Sequence, residues 1–120
     1  MGYEQPDLYY QPEKFGLTQV GEVNWSDEAY QFDKTVVWKH EDGRFFLGED
    51  SGCSCPSPFE NFLGLSDARE MTKLRLYNYF ADRVEANVAY EATLDEDEKS
   101  YIDKFPQDQI ADLLGRIAQA

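Results

Sequence analysis

Polar and apolar residues alternate from Tyr30 to His40. Tyr30, Phe32, Val36, Trp38 and His40 share one parity, and Gln31, Asp33, Thr35, Val37 and Lys39 take the other. That is the two-residue period of a β-strand, with Lys34 interrupting its apolar side. Asp42-Gly43 follows, a dipeptide that tolerates positive φ at a tight turn, and Arg44-Phe45-Phe46-Leu47 begins a return strand, so the pattern predicts a hairpin. Upstream, Leu17, Val20, Val23 and Trp25 alternate imperfectly around Gly16 and Gly21, which predicts a strand over 15–25 with a bulge near Gly21. After residue 66 the period changes. Asp67 with Glu70 three residues on has the form of a capping box, and Ala68, Met71, Leu74, Tyr77, Ala81, Val84 and Val88 recur every three or four residues, predicting a helix of about six turns. Asp95-Glu96-Asp97-Glu98 suits the positive start of a short second helix with Tyr101, Ile102 and Phe105 inward. Pro106 suits a first helical position, and Ile110, Leu113, Leu114 and Ile117 form the stripe of a last helix that Gly115 weakens.

Strands first and helices afterwards, without β-α-β alternation, predict an α+β domain: a small antiparallel sheet of about three strands, with one Asp-Gly hairpin, followed by two or three C-terminal helices packed on one face. The 120 residues fit a single domain, divided into an extended N-terminal arm (1–14), the sheet (15–50), a Cys/Pro loop (51–65) and a helical part (66–120). Pro6 and Pro12 keep the arm from being helical, and its Tyr3, Leu8, Tyr9 and Tyr10 are expected to pack across the domain rather than across a partner.

Composition then narrows the function classes. A chain 42% hydrophobic and 15% aromatic has the apolar surface to fold unaided. Its net charge of −13, with 12 of the 24 acids before Ser66 and 12 from there on, repels phosphate backbones, so direct nucleic-acid binding is not expected. No apolar run of about 20 residues is present and Met1 to Asp7 has no signal-peptide character, so neither a membrane nor export is expected, and the two cysteines are expected to stay reduced. Glu91, Asp95, Glu96, Asp97, Glu98 and Asp103 are candidates for an acidic face directed at a basic partner, against the plainer reading of a solvated helix end.

The segment Asp50-Ser51-Gly52-Cys53-Ser54-Cys55-Pro56-Ser57-Pro58-Phe59 is the strongest candidate site, because Gly, Pro, Ser and thiols gather directly after a strand. In its structural reading it is a rigid crossover from sheet to helix, with Phe59 and Phe62 plugging the core. In its chemical readings, Cys53, Cys55 and the single histidine, His40, are the natural set of soft or borderline metal ligands, and the same histidine is the only imidazole base for a Cys or Ser nucleophile. A zinc site would need a fourth ligand such as Asp50, and the one-residue cysteine spacing departs from the usual two. A Cys53–Cys55 disulfide would span Cα atoms about 6.6 Å apart if extended. No phosphate-binding glycine loop or metallohydrolase signature occurs. No metal, cofactor or catalytic residue is therefore expected.

The run Asp50-Ser51-Gly52-Cys53-Ser54-Cys55-Pro56 with Pro58-Phe59-Glu60 resembles a family of small uncharacterised proteins from actinobacteriophages. Tyr9-Tyr10, Pro12-Glu13-Lys14-Phe15-Gly16-Leu17, Tyr30 with Phe32, and Val36-Val37-Trp38 extend the likeness over the first half of the chain. The resemblance implies a phage genome and expression in the cytoplasm of a bacterial host, and it transfers no functional residue. The resulting expectation is a non-enzymatic protein that binds and modulates a bacterial host protein. The alternatives are a metal- or thiol-dependent protein centred on Cys53, Cys55 and His40, and a structural or assembly component of the virion.

Overall fold

The structure, a computed structural model, describes residues 7–25, 31–53, 59, 62–93, 95 and 106–120. Its sheet is an antiparallel meander in the order β1 (Leu17–Asn24), β2 (Gln31–His40), β3 (Phe45–Cys53), β4 (Arg69–Met71), followed by α1 (Lys73–Glu91) and α2 (Gln107–Gln119). The α+β class is as expected, with four strands in place of about three. Val20 is the extra residue of the bulge, which separates the Gln19–Trp38 and Gly21–Val37 pairs. At Gly21 a Cβ would lie 2.8 Å from Leu113 Cδ1, so α2 rests directly on bare backbone there.

The hairpin turn is one step wider than a two-residue loop. The His40 amide donates to Arg44 O at 2.7 Å, the Gly43 amide donates to His40 O at 2.9 Å, and Gly43 takes φ +99°. Arg44 therefore belongs to the turn, and the return strand begins at Phe45.

The fourth strand arises where a helix start is predicted. Asp67 caps no helix: its Oδ2 accepts the amides of Leu63 and Gly64 at 3.0 and 3.1 Å and closes a 3-10 turn, Leu65–Asp67. Arg69 to Met71 then pair with Leu47, Phe46 and Phe45. Thr72 inherits the cap, its side chain accepting the Arg75 amide at 3.1 Å. Two cap signals five residues apart compete here. The later one wins because Arg69 to Met71 gain ladder hydrogen bonds at the open edge of β3.

Pleating divides the sheet into two buried faces. On one side Val23, Trp25, Val37, Phe45 and Leu47 pack against Leu76 and Phe80 of α1 and Ile110, Leu113 and Ile117 of α2. On the other, Leu17, Val36, Trp38 and Phe46 are covered by Leu8 and Phe59, with Tyr9, Phe15, Phe62 and Leu65 around them. Both helices take one face, and the sheet is the middle of three layers. From Asp7 to Gly16 the segment before β1 is a folded cover rather than an extended arm. Asp7 Oδ1 accepts the Tyr9 and Tyr10 amides at 3.0 and 2.7 Å, Pro12–Phe15 form a 3-10 turn, and Gly16 leaves it at φ +73°.

Along α1 the predicted apolar stripe is only partly inward. Of its residues in the helix Tyr77 and Val84 are half-buried, Ala81 is exposed and Leu74 and Val88 are 69% and 59% exposed, while the two buried side chains, Leu76 and Phe80, lie outside the predicted stripe. The inward face instead includes Tyr79 and Arg83, polar residues that a count of apolar spacings passes over. In α2 the stripe is inward as expected, with Ile110, Leu113 and Ile117 buried, while Pro106 is the N-cap rather than the first helical residue. The expected short helix with Tyr101, Ile102 and Phe105 falls outside the described residues.

Candidate functional site

The segment singled out in the sequence begins as strand, not loop. Asp50, Ser51, Gly52 and Cys53 complete β3 opposite Lys34, Asp33, Phe32 and Gln31. Ser54, Cys55, Pro56, Ser57 and Pro58 lie outside the described residues. Asp50 ties the two ends of the segment together, since its Oδ1 accepts the Ser51 amide at 3.0 Å and its Oδ2 the Phe59 amide at 2.8 Å. Phe59 is held at φ +62°, fully buried. Its ring stacks on Tyr9 at 5.0 Å and meets Trp38 and Phe62 edge-on at 5.9 and 4.9 Å. The clasp from Asp50 thus delivers one aromatic plug into the second face of the sheet.

His40 does not join this segment. Opposite Leu17 and beside the turn, it is largely buried, with Nδ1 3.0 Å from Asp42 Oδ1 and its ring edge-on to Phe46 at 6.4 Å. Cys53 pairs with Gln31 at the other end of β2, nine residues from His40, about 30 Å at strand rise. His40 and Cys53 cannot share a metal ion or act as base and nucleophile. The signal was available in the sequence: a turn around residues 42–43 places 40 beside 44 and 53 beside 31, at opposite ends of the hairpin. Among the described residues, no three His, Cys, Asp or Glu side chains converge as metal ligands.

Two polar clusters that sequence reasoning missed fasten the layers. On the helix face, buried Thr35 accepts Trp25 Nε1–H at 2.9 Å and lies 2.9 Å from the Tyr79 hydroxyl, which donates to Glu49 Oε2 at 2.9 Å. Arg83 donates to the same hydroxyl at 3.2 Å, reaches Glu49 at 3.5 Å, and stacks 4.1 Å over the Trp25 ring, while Arg69 holds the other oxygen of Glu49. Burial pushes the Tyr79 phenol above its ordinary pKa, which favours the protonated form that donates to Glu49.

On the opposite face the Tyr9 hydroxyl donates to Glu22 at 2.9 Å and accepts from Lys34 Nζ at 3.1 Å, with Lys34 and Glu22 3.3 Å apart. This explains the lysine that interrupts the β2 pattern: it clasps the N-terminal cover. Burial raises the Tyr9 phenol. Burial alone would lower Lys34, yet its hydrogen bond to Tyr9 and the charge of Glu22 outweigh that and leave it raised. All three raised groups are held protonated by the fold, so their stabilisation is intact below the unfolded pKa values and disappears as pH rises through the folded ones. The melting temperature is therefore expected to hold to about pH 9.5 and fall steeply above about pH 10. Thermal melts from pH 7 to 11.5, with tyrosinate absorbance followed in parallel, check this; a flat profile to pH 11 would show the clusters to be energetically idle.

Beside β4 and the first half of α1 runs an open groove of about 470 Å³ lined by Arg69, Glu70, Met71, Arg75, Asn78, Tyr79 and Asp82. Of the acidic residues singled out in the sequence, Glu91 ends α1 and Asp95 is exposed four residues on; Glu96, Asp97, Glu98 and Asp103 fall outside the described residues. No described helix is long and apolar enough to cross a membrane.

The family described as a domain of unknown function, DUF7574, matches residues 6–109. The chain belongs to this family. The DUF7574 match runs from the N-terminal cover across the whole sheet and α1 to the first turn of α2. No curated protein and no solved structure matches the chain.

Proposed function

We propose that this DUF7574 protein is a phage-encoded, non-enzymatic binding protein that docks on a protein of its bacterial host, in the host cytoplasm, through the far end of α1 and the acidic residues that follow it. The observation that carries this reading is Tyr90. It lies seven positions beyond Arg83 and so continues the helix face that Leu76, Tyr79 and Arg83 turn toward the sheet, yet it is 56% exposed. After Phe80 no described side chain of α1 is buried. A helix draws most of its stability from packing one face, so a face that overruns its own sheet is suited to a partner's surface. Tyrosine is enriched where such contacts concentrate binding energy.

The chemistry around it defines the partner. Glu91 and Asp95 follow directly in sequence, and the chain carries −13 overall, so a basic rim around an apolar patch complements it. The titratable clusters support a binding role over catalysis, since Glu49, Asp50, Glu22 and Lys34 are all consumed in holding layers together.

The test uses the full chain as bait in lysate of the bacterial host, at low and high salt, with wild type and Tyr90→Arg side by side. Tyr90 is exposed, so the substitution leaves the fold intact. The expected result is a partner retained by wild type, weakened at least about tenfold by Tyr90→Arg, and weakened by salt. Absence of a reproducible partner, or a partner held equally by both proteins, overturns the reading.

A further inference from the structure

We infer that α1 also pairs antiparallel with α1 of a second copy of this chain, through the outward ridge of Leu74, Ala81 and Val88. These residues recur at seven-residue intervals, span four turns and about 21 Å, and all face away from the sheet. Two of them, Leu74 at 69% and Val88 at 59% exposure, are among the most exposed large apolar side chains in the structure. A seven-residue apolar repeat is the seam by which one helix packs along another. Among the described residues the ridge belongs to neither core cluster, because the inward face built on Leu76 and Phe80 occupies the other side of the helix.

The pattern matches its own reverse. Turned end for end about Ala81, Leu74 of one copy meets Val88 of the other, and the small Ala81 side chains meet at the centre, where two helix axes approach most closely. Charge runs the same way. Arg75 lies at the start of the ridge, and Asp82 and Glu85 lie in its second half; none of the three side chains has a polar partner among the described residues. In the antiparallel pairing the Arg75 guanidinium of each copy comes alongside Glu85 of the other, two equivalent ion pairs flanking the seam. A parallel pairing would leave each Arg75 about 15 Å along the axis from Glu85 of the other copy, too far for an ion pair.

This contact does not depend on the proposed host interaction. Tyr90 is two positions past Val88, about 200° around the helix, so it faces away from the seam and stays available in the dimer. A single helix pair is small for a specific interface, so half-association is expected at roughly 10–100 µM.

Sedimentation velocity on the full chain between 1 µM and 1 mM tests the inference. Wild type is expected to pass from monomer to dimer, and Ala81→Glu, an exposed helical substitution, to remain monomeric. Arg75→Glu alone is expected to weaken the dimer at least about fivefold, and Arg75→Glu combined with Glu85→Arg to restore it. In a Cys53→Ser, Cys55→Ser background, oxidised glutathione should cross-link Ala81→Cys efficiently and Leu74→Cys poorly. If that background does not fold, the charge exchange alone decides. A wild type that stays monomeric to 1 mM, a dimer indifferent to Ala81→Glu, a charge exchange that fails to restore association, or preferential cross-linking of Leu74→Cys each overturns the inference.

Discussion

Phe59→Ala is expected to destabilise the protein by about 3–5 kcal/mol, the range for removing a fully buried phenylalanine. The ring is completely enclosed and contacts Tyr9, Trp38 and Phe62, so its loss opens the second face of the sheet at its centre and loosens the N-terminal cover. The backbone adds a second, diagnostic expectation. At φ +62° an L-residue is strained by roughly 1–2 kcal/mol and glycine is not, so Phe59→Gly should be at least as stable as Phe59→Ala, the reverse of the usual order. Urea denaturation of the three proteins measures both effects. A cost under 1 kcal/mol for Phe59→Ala would mean that the segment after β3 is not fastened by this plug.

Phe80→Ala is expected to cost a similar amount, about 3–5 kcal/mol, while Val88→Ala, eight residues further along the same helix, should stay within about 0.5 kcal/mol when measured well below the concentration at which chains associate. Phe80 is 1% exposed and touches Trp25 and Tyr79, whereas Val88 is 59% exposed. The pair is a direct reading of where the sheet ends beneath α1. Equal costs at the two positions would place the second half of the helix in the core and remove the basis for both a docking end and an outward seam.

How far the sequence foretold this molecule depends on the range over which each signal acts. The alternation of β2, the Asp-Gly turn, the bulge at Gly21 and the stripe of α2 are local patterns, and each is where the spacing placed it. β4 is different in kind: Arg69-Glu70-Met71 has no strand signature of its own, and its conformation exists because Phe45 to Leu47 offer an edge to pair with. The inward face of α1 was misread because the spacing was counted through Leu74, Tyr77, Ala81 and Val88 instead of Leu76 and Phe80, and because Arg83 as a flat cover over Trp25 and Tyr79 as a hydrogen-bond link to Thr35 have roles that hydrophobic spacing does not score. Of the candidate site, the aromatic plug at Phe59 was legible, and so was the wide separation of His40 from Cys53, once the hairpin is folded about its turn. The clasp from Asp50 was not, because it depends on a left-handed aromatic nine positions away.

The three-layer arrangement also sets an order in time. Everything that covers the second face, from Leu8 to Ala68, has left the peptidyl-transferase centre by residue 68, but the other face needs Ile117 of α2. At about 5–20 residues per second the intervening stretch takes roughly 2 to 10 seconds to make. Through that interval the nascent protein is a half-finished sandwich that presents Val23, Trp25, Val37 and Leu47 to its surroundings. Pausing of the ribosome over α1, or a chaperone that binds bare sheet, would thus act on this face alone.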